Sequence, residues 1–528
     1  MTAAAQAAAD TPARGRTPRR RSVALAVISA AQLMFLLDAT IVNVALPSIQ
    51  RSLELDGAGL EWVVASYSIA FGGLLMLGGR AGDILGRRRM FAAGLALFTC
   101  ASLLGGFASE PWLLVVCRAA QGAGAAAASP AALSLIAVTF PQGPERDRAI
   151  GWYTAVATAG GGLGLLAGGV ITAWLSWRWV MLVNVPIGVV LLAVTRRVLP
   201  RTPRRSGVFD ASGAVTGTLA ALLLVYGLVS GSSGSSGSSG HGSWTRPEVL
   251  VALGSAAVLL AVFVAVERRG AQPLVPLRLF ADGRRAGVYA VLALTSTAMF
   301  GVFFFLTLFL SRVWGYSALR IAVVYLPLTC LLVAGARFGP RLVALVGARA
   351  LVCCGLLTAA AGMAWLSRIG ESGGYATGML APTVLVYAGL GVTGVPLTLA
   401  ALADVADEDS GAASGLLTMA RQIGGATGLA VLGAVVWAAA GTAGHTGTEA
   451  ADAALSSGIA HGFLAAAAVT ALSLLPAAVA VPGKSASGTA SAGGAADAGS
   501  ATDAGGAVRT GTAGRTAGAA NTAVPDEG

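Results

Sequence analysis

The chain has 528 residues, of which 55% are hydrophobic and only 11% charged, too little charge to cover a soluble protein of that size, so its solvent is mostly lipid. A formal charge of +11 would suit a nucleic-acid partner, but the arginines cluster between apolar runs and follow no single face, which is the pattern of cytoplasmic anchors and not of nucleic-acid binding. The cysteines Cys100, Cys117, Cys330, Cys353 and Cys354 all fall inside apolar runs, where small thiols are common and no disulfide framework is indicated.

Residues 1–22 are a basic tail ending in RGRTPRRR, after which an apolar run continues to about residue 46. A cleavable signal needs a shorter core and a small-residue cleavage site, so this run is a first span and the N-terminus stays inside. Further apolar runs follow near 60–79, 90–108, 112–139, 149–171 and 178–199, then 212–230 and 247–266, then 286–310, 317–336, 342–366, 377–401, 413–437 and 459–481. The total is about fourteen spans, grouped as six, two and six. With the N-terminus inside, roughly 27 of the 35 Arg and Lys residues fall in cytoplasmic segments, a bias that fixes the topology, and an even number of spans returns the C-terminus to the cytoplasm. The expected organisation of this all-α integral membrane protein is a tail at 1–22, a six-helix half at 23–199, two extra helices at 200–285, a second six-helix half at 286–481 and a disordered cytoplasmic tail at 482–528. Between the extra helices, SGSSGSSGSSGHG (230–242) is expected to be a flexible external loop.

Asp38 interrupts the first span, in AAQLMFLLDATIVNVALP. A carboxylate at membrane depth costs about 2.5–3.5 kcal/mol on insertion scales, so it faces a cavity or a partner and marks a functional site by default. Helical spacing puts it on one face with Met34, Phe35, Ile41, Val42 and Ala45, beside a partly apolar cavity. It is read as a proton-coupling carboxylate, against the alternative of a structural carboxylate bonded to a neighbouring helix. The loop GGRAGDILGRRRMF (78–91) offers Asp83 to an arginine or a helix N-terminus of the same loop, as a latch that breaks when two halves rock; the alternative is a basic loop obeying the charge rule. The loop of the last six-helix set, ARFGPRLVALVGARALV, repeats Gly, Arg, Gly and Arg at similar intervals, as duplication of one half would produce.

These motifs carry a family resemblance. Gly79, Asp83, Gly86, Arg87 and Arg88 resemble the loop signature of the major facilitator superfamily, and LLDATIVNVALPSI resembles the entry motif of its fourteen-helix drug:proton antiporters. CRAAQGAGAAAASPAAL is similar to that family's arginine helix at Arg118, Gln121, Gly122, Gly124 and Pro130, SWRWVMLVNVPIG (176–188) to its opening of span six, and SGLLTMARQIGGATGLAVLG (414–433) to its span thirteen. The resemblance covers about residues 22–481. It implies two six-helix halves with two extra central helices, and proton-coupled efflux of a drug-like or antibiotic molecule across the bacterial plasma membrane, conferring resistance. It further implies a monomer surrounded by lipid bilayer, with a proton gradient as energy source and no cofactor. The antiporter motif of span five departs from the family pattern: Gly164, Gly168 and Gly169 are present, but Leu165 stands where proline is expected, which removes a kink. Ile84 likewise replaces an arginine frequent in the loop signature.

In the logic of the family Arg118 sits near Asp38 and modulates its proton affinity; the competing reading is a packing arginine bonded to backbone carbonyls. Arg421 and Gln422 resemble it, or else contact substrate. A substrate cavity is expected to involve Met34, Phe35, Gln121, Arg421 and Gln422, with Phe300, Phe303, Phe304 and Phe305 lining it or facing lipid. No further deep acid is expected: Glu61 lies near the outer end of span two, and Asp404, Asp407, Glu408 and Asp409 in an inner loop. A dicationic substrate would need a second buried carboxylate, so a neutral, anionic or singly charged substrate is expected. GGLGLLA (161–167) lacks the strand and helix of a dinucleotide loop, PGKS (482–485) lacks the first glycine of a phosphate loop, and His241, His445 and His461 are too scattered for a metal. No constellation supports an enzyme. The rival readings are a proton-coupled importer of the same fold and a non-transporting membrane sensor or scaffold.

Overall fold

The computed structural model describes residues 18–141, 144–200, 211–232, 244, 246–270, 278–369, 375–403, 405, 410–441 and 449–483, and every regular element among them is helical. Most of the Gly/Ser loop, much of both tails, Asp404, Asp407, Glu408, Asp409, His241 and His445 lie outside the described residues. The first helices are α1 (Pro18–Leu53), α2 (Gly57–Leu85), α3 (Arg87–Gly106), α4 (Pro111–Thr139), α5 (Pro144–Trp174), α6 (Arg178–Leu182) and α7 (Asn184–Val198). Then come α8 (Ala211–Ser232), α9 (Pro247–Arg269), the short α10 (Arg278–Ala281), α11 (Gly283–Arg312), α12 (Ala318–Val346) and α13 (Ala348–Leu366). A π-helical turn (Tyr375–Leu380) leads into α14 (Ala381–Leu402), followed by α15 (Ser410–Ala440), α16 (Glu449–Leu472) and α17 (Leu474–Ala480). Among the described residues 13 helical segments are long and apolar enough to cross a membrane, and Leu163–Trp174 within α5 is a shorter apolar stretch.

Local chemistry sets the boundaries. Asp56 caps α2 by accepting from the Gly59 N–H at 2.7 Å, and Asp282 caps α11 by accepting from Arg284 N–H at 3.0 Å. The predicted sixth span is one segment in sequence but two helices in space, broken at Val183. Pro186 has no N–H to offer the carbonyl of Leu182, so one bond of the helical ladder is lost at the break. Gly86 (φ 100°) ends α2 and starts α3, and Gly347 (φ 88°) ends α12 and starts α13. Both are in the left-handed region, where a Cβ is strained. These are the two loops whose sequences repeat.

The packing repeats too. In the first set α1 lies on α5, α2 on α4 and α3 on α4; in the second α11 lies on α15, α12 on α14 and α13 on α14. The α3–α4 crossing is so close that a Cβ on Gly124 would stand 2.7 Å from the Gly94 carbonyl oxygen, and the α13–α14 crossing puts a Cβ on Gly355 2.7 Å from the Gly389 carbonyl oxygen. The sets meet along α2 with α15 and α5 with α12, while α8 and α9 pack on each other and α8 covers the α2–α15 seam. At the end remote from Pro18 both sets contribute to one apolar core, including Ile49, Leu60, Phe305, Tyr325 and Trp437. Toward the opposite end one core belongs to the first set, around Ile28, Phe91 and Leu135, and another is built mainly from the second, around Leu292, Leu356 and Leu417.

Candidate functional site

Asp38 lies in the middle of α1 and is completely buried (0% exposed), as is Arg118 of α4 (1%). The Arg118 guanidinium donates through Nη1 to Asp38 Oδ2 at 2.5 Å and to Gln121 Oε1 at 2.9 Å, and through Nε to the Val63 carbonyl of α2 at 3.2 Å. Its plane stacks 4.6 Å from the centre of the Tyr67 ring. The other oxygen of Asp38 accepts from Asn184 Nδ2 at 2.7 Å and Gln121 Nε2 at 3.0 Å, and Gln121 is anchored in turn by donating to Ser102 Oγ at 2.8 Å. Three helices, α1, α4 and α7, therefore meet at one carboxylate, and α2 and α3 join the cluster through Arg118 and Gln121. Buried charges of opposite sign are tolerable in this form because each is neutralised and its remaining valences are filled by hydrogen bonds.

Sequence reasoning paired Asp38 with Arg118, and the structure brings them together. It did not find Asn184, Ser102 or Tyr67. Asn184 stands at the α6–α7 break inside an otherwise apolar stretch, VMLVNVPIG, and an unexplained amide in such a run is the signal that would have found it. Gln121 was expected on a cavity wall, but its amide is consumed by the charge cluster. Met34 and Phe35 (each 2% exposed) also differ from that expectation. Their face of α1 is packed into the first set, with the Phe35 ring 4.9 Å from that of Phe98. Phe304 and Phe305 (1% and 0%) face neither lipid nor an open cavity, because they fill the core common to both sets.

The remaining site residues are distributed as follows. Asp83 accepts from Arg87 Nη2 at 3.1 Å and Nε at 3.3 Å, while Arg87 Nη1 reaches the Ser134 carbonyl of α4 at 3.4 Å, so the latch pair is closed within its own loop and tied to α4. Gly79 lies beside Pro130. Gly164 and Gly168 press α5 onto α1, where a Cβ would stand 2.9 Å from the Leu37 and 2.8 Å from the Ile41 carbonyl oxygens. Gly169 presses the same helix onto α12, 3.0 Å from the Ala318 carbonyl oxygen. Without the proline, α5 is a continuous 31-residue helix. Arg421 of α15 donates to Thr398 Oγ1 of α14 at 3.2 Å. Gln422 is held at the α2–α15 seam, where a Cβ on Gly72 would stand 2.9 Å from it. An apolar cavity of about 500 Å³ opens beside the same helix, lined by Phe263, Phe280, Tyr289, Met419 and Ile423 among others.

One expectation is corrected. Glu61 lies near the start of its helix as expected, but it is a deep acid, fully buried (0%), with Oε1 accepting from Trp437 Nε1 of α15 at 2.7 Å. Its second oxygen is buried with no hydrogen-bond partner among the described residues. Gly433 makes the room, since a Cβ there would overlap the carboxylate. Glu267 of α9 is buried as well (3%). Position near a helix end suggested solvent; the apolar core shared by the two sets removes it. The inference that a dicationic substrate is excluded for want of a second deep acid therefore lapses.

A chain of membrane-length helices in two equivalently packed sets, with a buried charge pair in one of them, has the build of a two-half membrane transporter. The family model of the Major Facilitator Superfamily matches residues 28–429, and the chain belongs to that family. It is 43% identical over 426 residues to a cephamycin export protein of Amycolatopsis lactamdurans, covering 79% of this chain and 86% of the relative. A puromycin resistance protein of Streptomyces alboniger is 40% identical over 421 residues, covering 79% and 82%. Among solved structures, a bacterial homologue of the lysosomal transporter Spinster in an inward-facing, occupied conformation superposes with a TM-score of 0.63 at 17% identity, over 88% of this chain and 97% of that one; this likeness concerns the fold.

Proposed function

We propose that the protein is a proton-coupled exporter of an antibiotic or similar drug-like molecule in a bacterial plasma membrane, with Asp38 as the proton-carrying group. The observation that carries the coupling is the isolated Asp38–Arg118 pair, sealed from solvent and held by donors from α4 and α7. Export and resistance relatives at 43% and 40% identity support the direction of transport and the substrate class. In this reading the Pro18 end is cytoplasmic, α5 also crosses the membrane and brings the spans to fourteen, both termini are inside, and one chain is the working unit. The shared core at the far end then makes the described state closed to the outside.

Protonating Asp38 removes its charge, turns the ion pair into a neutral acid beside a guanidinium, and weakens the three charge-assisted bonds that draw α1, α4 and α7 together. The first set can then repack, which rocks it against the second through the α2–α15 and α5–α12 seams. Each proton moving down about 100 mV supplies roughly 2.3 kcal/mol. The Asp83–Arg87 latch, the glycines of α5 and the Arg421–Gln422 stretch at the seam serve this motion and the substrate path.

The test is made in inside-out vesicles energised to an acid interior. Cephalosporin-type and aminonucleoside antibiotics are expected to dissipate the pH gradient only when the protein is present. Gradients that no tested compound dissipates, with uptake of labelled compound unchanged from empty vesicles, would overturn the assignment.

A further inference from the structure

Away from the charge pair, a cavity of about 710 Å³ lies between the start of α3 and the end of α7, at the Pro18 end of the molecule. Its mouth carries Arg88, Arg89 and Arg196, and none of the three has a carboxylate partner among the described residues. Arg88 is held in place by donating to the Arg196 and Leu199 carbonyls at 3.4 Å each. Along α3 the lining is Ala92, Ala93 and Ala96, small apolar side chains.

Two independent features say that this cavity is built for an anion. Thr195 is completely buried in its wall, and its hydroxyl has no hydrogen-bond partner among the described residues. Other buried threonines of the chain, Thr99, Thr139 and Thr295, satisfy theirs by bonding the carbonyl four residues back; Thr195 does not, and an unmade buried hydroxyl is costly. The second feature is the start of α3, where Gly86 provides no side-chain cap. The first N–H groups of that helix, at the positive end of its dipole, therefore add to the field of the arginines.

Charge, an uncapped helix start, a buried unpartnered hydroxyl and an alanine-lined stretch of a membrane-length helix define a complementary ligand. We propose that the α3–α7 cavity binds an anionic phospholipid, its phosphodiester among Arg88, Arg89, Arg196 and Thr195 and one acyl chain along Ala92 and Ala96. Basic pockets between membrane helices on the cytoplasmic side bind such headgroups, with each arginine near the surface worth ~1 kcal/mol, or about fivefold. The lipid neutralises like charges that otherwise repel. It also braces α3 against α7, the helix that presents Asn184 to Asp38.

The purified full-length protein is incubated with equal amounts of phosphatidylglycerol and phosphatidylcholine and examined by native mass spectrometry. Phosphatidylglycerol adducts are expected to exceed phosphatidylcholine adducts by about 25-fold or more, and Arg89→Gln with Arg196→Gln to cut that preference roughly 25-fold, toward parity. Thr195→Val, close to isosteric, is expected to lower phosphatidylglycerol adducts several-fold without changing phosphatidylcholine adducts, and it carries the test alone if the double variant does not fold. Equal adducts of the two lipids in the wild type, or a preference that survives Thr195→Val and the double variant, would overturn the proposal. So would complete displacement of the lipid by low-millimolar inorganic phosphate, which would assign the cavity to a free anion.

Discussion

Replacing Asp38 with asparagine preserves shape and removes one charge, and the structure shows why the change cannot be silent. All three of its side-chain partners are donors: Arg118 at 2.5 Å, Asn184 at 2.7 Å and Gln121 at 3.0 Å. A carboxylate accepts from all of them, whereas an amide has one acceptor oxygen and must turn its NH2 toward at least one donor. Arg118 meanwhile becomes an uncompensated buried cation, and breaking a buried pair in this way costs about 3–5 kcal/mol. Removing Arg118 alone, as Arg118→Gln, should cost a similar amount, while the double variant removes both charges and should cost less than the sum by about 1–3 kcal/mol. Thermal unfolding of the three variants in one detergent gives that coupling. Transport supplies the second readout: substrate binding to the wild type in weak buffer should release protons, and binding to Asp38→Asn should release none. If the single costs simply add, or if Asp38→Asn still dissipates a vesicle pH gradient on addition of substrate as the wild type does, Asp38 is a packing residue and the coupling argument fails.

The duplicated turns should fail alike: Gly86→Ala and Gly347→Ala each force a Cβ into left-handed backbone, at ~1–3 kcal/mol apiece, and unfolding midpoints that differ widely would contradict their equivalence. Gly164→Ala places a methyl against Leu37 and Thr40 and should lose ~1–3 kcal/mol together with most transport, whereas Gly151→Ala, with open space around it, should stay within about 0.5 kcal/mol of wild type; equal effects would mean that α1–α5 packing does not limit the protein. Trp437→Phe removes the donor to the buried Glu61 carboxylate and should destabilise the closed far end by ~1.5–3 kcal/mol. That loss is read as faster thiol labelling of a cysteine introduced at Leu60, and unchanged labelling would show that Glu61 does not hold that end.

What was legible in the sequence follows from what the bilayer dictates. Apolar length, arginine clusters and one carboxylate in an apolar run are local signals, and they gave the helices and Asp38; Arg118 as its neighbour came only from the likeness of CRAAQGAG to the family's arginine helix. Asn184 was missed because its role depends on α7 returning beside α1 after 146 residues of chain, a distance over which periodicity carries no information. Glu61 was misplaced for the opposite reason: its neighbours in sequence, Asp56 and the helix start, signal water, whereas its neighbours in space are Trp437 and an apolar core drawn from both sets. The Met34–Phe35 face was correctly read as apolar but packs against Phe98 instead of bordering a cavity. An apolar stripe at helical spacing has the same pattern in sequence whether it lines a cavity or packs against a neighbouring helix.

The two buried acids are linked by one helix. Arg118 holds the backbone carbonyl of Val63 on α2, and two residues earlier on α2 Glu61 accepts from Trp437 of the second set. Tyr67, one turn further along, stacks on Arg118 and donates to the Phe35 carbonyl of α1 at 3.4 Å. A change in the charge of Asp38 alters the pull on Arg118, whose Nη1 is bonded to α1 and its own helix and whose Nε is bonded to α2. Any shift it makes is therefore delivered to α2 within a turn of the contact that joins the two sets. Distance alone would not make this a coupling route. Under the proposed function, its physical content is that α2 is shared between a charge pair that titration would break and a seam that transport would open, so the same helix would have to move between the two protonation states.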